Sequence, residues 1–140
     1  MSQPAPAPAA PREAARAATR GVCLVVDDSR LVRRIARGIL EGQGFAVEEA
    51  EDGAQALAAC RRAMPRAILL DWNMPVMNGI EFLRALKQEF GEGAAPVVFC
   101  TTENEMSFIL EAMEAGASEY IMKPFDAEII ASKFAQAGLL

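Results

Sequence analysis

The chain has 140 residues, of which 52% are hydrophobic and 24% charged, with a formal net charge of −5. That length supports one domain with a core of its own, no run of about 18 apolar residues is present to span a bilayer, and the acidic balance disfavours direct binding to nucleic-acid phosphates. The three cysteines, Cys23, Cys60 and Cys100, form an odd set without a CxxC pair. Neither a disulfide framework nor a zinc site is indicated, and buried free thiols in a reducing cytoplasm are expected.

Residues 1–20 read as a separate segment. Pro4, Pro6, Pro8 and Pro11 are interleaved with alanines, and no large apolar residue follows Met1. Such a stretch cannot bury a core and is expected to be a disordered tail, at most a frayed helix over 12–20. It lacks the apolar centre of a secretory signal, and its single serine disfavours a transit peptide. It holds Arg12, Arg16 and Arg20 against Glu13, so the acidic excess lies in the domain expected over 21–140.

From residue 22 short apolar runs alternate with amphipathic stretches. Val22–Val26 is continuous and rich in β-branched residues, as a strand buried on both faces should be. Leu31, Val32, Ile35, Ile39 and Leu40 then recur at helical spacing until Gly44, with Ser29 available as the cap. Ala46–Ala50 is a weaker strand, and Ala54–Ala63 a helix capped by Asp52. Ala67–Leu70 is a third buried strand, followed by a helix lined by Ile80, Leu83, Leu86 and Phe90. Pro96–Cys100 is the fourth strand. Met106, Ile109, Leu110 and Met113 line a fourth helix, predicted over Asn104–Ala115 and closed by Gly116. Glu119–Met122 is the fifth strand, and Asp126 caps a last helix carrying Ile129, Ile130 and Phe134.

Five alternating βα units imply a parallel sheet with helices on both faces, joined by right-handed crossovers. The chain is too short for a barrel, which needs about 250 residues, so the expectation is a flavodoxin-like doubly wound (βα)5 fold with strand order 2-1-3-4-5.

Ligands of such sheets bind beyond the carboxyl ends of the strands. Asp27 and Asp28 follow the first strand, Asp71-Trp72-Asn73-Met74-Pro75 the third, Thr101-Thr102 the fourth, and Lys123-Pro124 the fifth. Three carboxylates gathered there repel one another unless a cation intervenes. Mg²⁺ takes a few carboxylate oxygens, keeps several waters and leaves room for a phosphate. With Ser29 able to cap the helix, Asp27 and Asp28 are spare for metal. Lys123, taken alone, reads as a surface charge; aimed at an acidic cluster it is a point-charge partner for phosphate. Thr101 taken alone is as readily a core hydroxyl as a phosphoryl ligand.

These residues resemble bacterial two-component receiver domains, and within them the chemotaxis, CheY-like type. The resemblance spans Gly21 to the C-terminus and rests on Val25-Val26-Asp27-Asp28-Ser29, Asp71-Trp72-Asn73-Met74-Pro75, Thr101 and Tyr120-Ile121-Met122-Lys123-Pro124-Phe125, with the separations of Asp71, Thr101 and Lys123. It implies that Asp71 is the phosphoacceptor, and that Asp28, Asp71 and the backbone carbonyl of Asn73 ligate Mg²⁺, with Asp27 acting through a metal-bound water. It further implies that Thr101 bonds the phosphoryl group and Lys123 pairs with it. Tyr120 would swing inward when Thr101 moves, Asn73 and Glu103 would tune hydrolysis, and the Lys123–Pro124 bond would be cis. The implied partners are a histidine kinase or phosphotransfer protein, and an effector held by the face of helix four, strand five and helix five. Two departures stand out: Thr102 replaces the usual alanine, and the last helix is short, running only from Asp126 to Leu140.

Rival chemistries fare poorly. No GxGxxG follows the first strand and no P-loop signature occurs. Histidine is absent, which removes His-based catalysis, His ligands and a histidine-kinase role. A haloacid-dehalogenase-like phosphatase needs a second Asp where Asn73 stands. The expectation is a phosphorylation-dependent protein-binding switch in chemotaxis or flagellar motor control, favoured by the Asp71–Pro75 segment and Tyr120, that catalyses only its own phosphorylation and dephosphorylation. No output domain follows residue 140, so output is expected through protein contact. The alternative is a phosphotransfer intermediate or phosphate sink.

Overall fold

The structure is a computed structural model that describes residues 20–102 and 107–140. The expected tail, apart from Arg20, and Glu103, Asn104, Glu105 and Met106 lie outside the described residues. Arg20 is already part of the fold: its amide donates to Gly44 O at 3.3 Å and its Nε to Gln43 O at 2.8 Å.

Strands β1 (Val22–Val26), β2 (Ala46–Ala50), β3 (Ala67–Asp71), β4 (Val97–Thr101) and β5 (Glu119–Met122) form one parallel sheet in the order β2-β1-β3-β4-β5. The expected doubly wound order is observed. β1, β3 and β4 are buried throughout, which is why they read as unbroken apolar runs. Between the strands run α1 (Arg30–Gly42), α2 (Gly53–Arg62), α3 (Gly79–Phe90), α4 (Ile109–Glu114) and, after β5, α5 (Ala127–Gln136). Leu24, Leu70, Phe82, Leu83 and Phe99 anchor the core on the α2–α4 face, while Val25, Leu40, Ile121, Ile130 and Phe134 anchor it on the α1/α5 face.

The helix starts follow local chemistry. Ser29 Oγ accepts from Val32 N at 3.2 Å, Asp52 from Gln55 N at 2.8 Å and Asp126 from Ile129 N at 2.8 Å. At α3 Asn78 and Glu81 form a reciprocal capping box that the sequence reading did not pick out, although its N-x-x-E spacing carries the signal.

Several expectations on the helices are corrected. Leu31 and Ile35 of α1 are exposed, at 67% and 47%, and its buried face is Arg33, Ala36 and Leu40. Of the expected stripe, Leu40 is buried, Ile39 packs against the core and Val32 is half-buried; Leu31 and Ile35 fall outside because Arg33 and Ala36 take the inward positions. Of the fourth helix predicted over Asn104–Ala115, the described part begins with a 3₁₀ turn at 107–108 and is α-helical over Ile109–Glu114; Leu110 is exposed, and Ala112 is the residue that packs into the core. β4 begins at Val97 rather than Pro96, and Asp71 and Thr101 end their strands instead of following them.

The β3–α3 loop is tightly wound. Met77 N donates to Pro75 O at 2.7 Å around Val76, whose φ is +67°. A β-branched residue in the left-handed region is strained, and Val76 is 82% exposed, so burial offsets little of that cost. Val76→Asn, which tolerates this backbone, should raise stability by about 1 kcal/mol in urea denaturation; unchanged or lower stability would mean that the valine is held there without strain.

Candidate functional site

Sheet order assembles the site. β1 and β3 are neighbours, so their carboxyl ends bring Asp27 beside Asp71. Asp28 stands exposed on the β1–α1 turn, and carboxylate oxygens of Asp27, Asp28 and Asp71 lie within 4.8 Å of one another. Lys123, just beyond β5, reaches over the end of β4. Its Nζ donates to Asp27 Oδ2 and to Asp71 Oδ1, each at 2.7 Å. Lys123 N donates to Thr101 O at 2.7 Å, and the Lys123–Pro124 bond is cis, as the resemblance implied.

One ammonium faces three carboxylates, so negative charge is in excess. Burial pushes the Asp71 carboxyl up to about 6; Lys123 opposes the shift, and Asp27 and Asp28 add to it. Lys123 itself is raised: its burial is outweighed by hydrogen bonds to Asp27 and Asp71. A cluster of hard oxygen donors with unbalanced charge suits a divalent cation such as Mg²⁺.

Other groups shape the edge. Asp27 is buried, with Oδ1 accepting from Ser29 N at 2.9 Å and its carbonyl accepting from Arg33 Nη1 at 2.7 Å. Arg33 also donates from Nε to Glu49 Oε1 at 2.9 Å, which anchors the acidic turn to β2. The sequence reading missed this brace; an arginine three residues before Ala36 and seven before Leu40, on the buried stripe, was the available signal. The second missed group is Gly79. A Cβ there would stand 2.5 Å from Asp71 O and 3.1 Å from Trp72 Cα, so only glycine lets α3 start against the acceptor strand.

Trp72 is half-buried. Its ring stacks on Phe108 with centroids 4.0 Å apart and tilts against Phe99 at 6.2 Å. Asn73 is exposed in the same loop. Thr101 is fully buried, and its hydroxyl donates to Thr102 O at 3.3 Å. Tyr120 is half-buried on β5, in register with Phe99. Glu103, expected to flank the path to Asp71, lies outside the described residues. An apolar groove of about 320 Å³, lined by Val32, Ile35, Pro124 and Phe125, opens beside Lys123 and accounts for the exposed Ile35 on its rim. All three cysteines are buried and free, and burial pushes the Cys60 thiol up to about 11 and the other two higher, so none is a ready nucleophile.

A doubly wound sheet with an aspartate cluster, a lysine and a threonine on its carboxyl edge defines the receiver class. The response regulator receiver domain family matches residues 23–135, and the chain belongs to it. The chain is 38% identical over 111 residues to the chemotaxis protein CheY of Pseudomonas aeruginosa, covering 79% of this chain and 90% of that protein. It is 37% identical over 106 residues to the chemotaxis protein CheY of Bacillus subtilis, covering 75% and 87%. The structure of the chemotaxis response regulator CheY4 of Vibrio cholerae matches with a TM-score of 0.75 at 34% identity, over 85% of this chain and 98% of that one.

The raised Asp71 carboxyl has a stability consequence. The folded state holds this proton more tightly than the unfolded chain, whose carboxyl titrates near 3.8. Ionised Asp71 therefore weakens the metal-free fold as pH rises from about 4 through about 6. Asp71→Asn should raise the metal-free Tm at pH 7 by about 5 °C, and the margin should shrink by pH 5. A margin independent of pH would mean that Asp71 is not the strained charge. Arg33→Met should lower stability by roughly 2 kcal/mol in urea denaturation, through loss of its charged hydrogen bonds to Glu49 and the Asp27 carbonyl; an unchanged midpoint would show that the brace is dispensable.

Proposed function

We propose that this chain is a response regulator phosphorylated on Asp71 by a histidine kinase or phosphotransfer protein, and that phosphorylation controls its binding to an effector protein. The observation that carries this reading is the Asp71 carboxylate, held at a strand end by Lys123 at 2.7 Å inside a cluster of three aspartates. In the proposed reaction an Asp71 oxygen attacks phosphorus in line; the O–P bond forms as the N–P bond to the donor imidazole breaks. Lys123 transfers its contact from the Asp71 carboxylate to a phosphoryl oxygen, and Thr101 donates its hydroxyl to another. Asp28, Asp71 and the Asn73 carbonyl would hold Mg²⁺, with Asp27 bonded through a water, and the ion would supply charge neutralisation on the equatorial oxygens.

The only chemistry proposed is on the chain's own side chain: formation of the Asp71 acyl phosphate and its hydrolysis, with exposed Asn73 and with Glu103 setting the access of water. Residues 21–140 are proposed as the working domain, with 1–20 as an appendage. Among the described residues no helix is long and apolar enough to cross a membrane, and action in the cytoplasm is proposed. The chemotaxis assignment is supported by similarity to proteins of that role. The proposed effector surface is the face of α4, β5 and α5, where Leu110, Met113 and Ile129 are exposed beside Glu111.

Acetyl phosphate with Mg²⁺ should label the protein, and Asp71→Asn should abolish labelling while circular dichroism is unchanged. Robust labelling of that variant would move the acceptor elsewhere. Trp72 is the single tryptophan. Its fluorescence should respond to Mg²⁺ and then to beryllofluoride, and Asp28→Ala should weaken the Mg²⁺ response by about tenfold or more. If a partner captured by the beryllofluoride-treated protein binds the untreated one equally well, the phosphate-sink role replaces the switch.

A further inference from the structure

Tyr120 lies on the edge strand β5 with its ring toward the α2–α4 face, packed against the core there, whereas Ile121 belongs to the core on the α1/α5 face. Lys133 is on α5, which covers the latter face. Its side chain nevertheless crosses the open edge of the sheet. Lys133 Nζ lies 4.7 Å from the centroid of the Tyr120 ring and 3.4 Å from Glu119 Oε1. The same Glu119 oxygen accepts from Tyr120 N at 3.0 Å. A closed triangle results: the carboxylate fixes the ammonium and the Tyr120 amide together, and the ammonium sits on the π face of the ring. Lys133 and Glu119 are largely shielded, with 28% and 18% of their side chains exposed, so water weakens these contacts less than on an open surface.

We infer that Lys133 is a latch on Tyr120, a positioning residue that favours the present ring rotamer and thereby opposes activation at Asp71. This rests on the proposed phosphorylation switch and on the inward swing of Tyr120 that the family resemblance implies, and names a residue that regulates it. The contact exists only while the ring faces the ammonium across the sheet edge. When the ring swings toward the space next to Thr101, Lys133 keeps Glu119 and loses the π face. Only one of the two states makes the contact, and that difference is what biases an equilibrium. By thermodynamic reciprocity, a contact that disfavours the displaced ring must also weaken binding of a phosphoryl mimic at Asp71.

The test uses the full chain, beryllofluoride with Mg²⁺ as the probe, and two reporters that are each unique in the sequence: the ring signal of ¹³C-labelled Tyr120 and the fluorescence of Trp72. Lys133→Met keeps the aliphatic stem and removes the charge; Lys133→Arg keeps a cation able to stack on the ring. Without probe, Lys133→Met should move the Tyr120 signal toward its beryllofluoride position. The beryllofluoride concentration for half-conversion should fall by about fivefold or more, the factor that one partly shielded cation–π contact supports. Lys133→Arg should restore the wild-type midpoint, and Glu119→Gln, which loosens the ammonium, should fall between. A merely structural role for Lys133 would not lower a midpoint read at Asp71. If wild-type Tyr120 ignores beryllofluoride while Trp72 responds, Tyr120 is not the switch, and the latch falls with it. If Tyr120 responds but the Lys133→Met midpoint is unchanged or raised, the switch stands and the latch is overturned.

Discussion

The Lys123 ammonium between Asp27 and Asp71 is the interaction on which the rest of the site depends. Two buried carboxylates at adjacent strand ends would otherwise face one another with no counter-charge. The lysine can reach them only because β5 ends one strand beyond β4 and the Lys123 amide is tied to the Thr101 carbonyl. Asp27 is fixed in turn by Ser29 N on its side chain and by Arg33 on its carbonyl. Yet one cation against three anions leaves the cluster short of positive charge, and burial leaves Asp71 less acidic than an ordinary carboxyl. A site built this way is rigid in its framework and unsatisfied in its charge. That combination suits a group whose charge is meant to change.

The backbone around Asp71 is arranged at some conformational expense. α3 begins so close to β3 that Gly79 has no room for a side chain, and α2 begins against Met77, where a Cβ on Gly53 would stand 2.7 Å from the Met77 carbonyl oxygen. The loop between them closes through Val76 in the left-handed region. The capping box of Asn78 and Glu81 and the bond from Gly79 N to Trp72 O at 2.9 Å offset part of that strain. The acceptor loop is therefore held from both sides, and its one large aromatic, Trp72, is free to make contact sideways with Phe99 and Phe108.

Much of this was legible in the residues. Buried parallel strands must be apolar on both faces, so Val22–Val26 reads with its observed bounds; the half-buried edge strand Glu119–Met122 reads from its place in the βα alternation, and the polar residues at the strand ends named the members of the cluster. The Ser29, Asp52 and Asp126 caps were readable because each side chain bonds an amide three residues on. What could not be read follows from three-dimensional contact. Arg33 is buried because the Asp27 carbonyl and Glu49 receive it; its spacing to Ala36 and Leu40 sets it apart from the exposed Arg34, but spacing alone does not name its partners. Leu31 and Leu110 have core chemistry and lie outside. α4 buries only Ala112, so its apolar residues describe a surface rather than a core stripe. That Lys123 bridges two aspartates, rather than merely facing them, depends on how far β5 is stepped along β4.

Edge strand β5 is where the charge chemistry and the surface meet. It pairs on one side only, with β4, and within a few residues it carries Tyr120 on one face, Ile121 on the other and Lys123 at its end. Asp71 bonds Lys123 directly, and Thr101 ends the neighbouring strand. Both are joined to this strand by backbone: Thr101 by register with Met122, and Lys123 by the bond from its amide to the Thr101 carbonyl. A strand with one free edge can shift its side chains at lower cost than a central strand such as β3, which is paired on both sides. Tyr120 is placed where a small displacement alters solvent-facing structure, with Lys133 and Glu119 on one flank and Phe99 on the other. The central strands β1 and β3 carry the acid cluster, and the edge strand carries, at its end, the lysine that meets it.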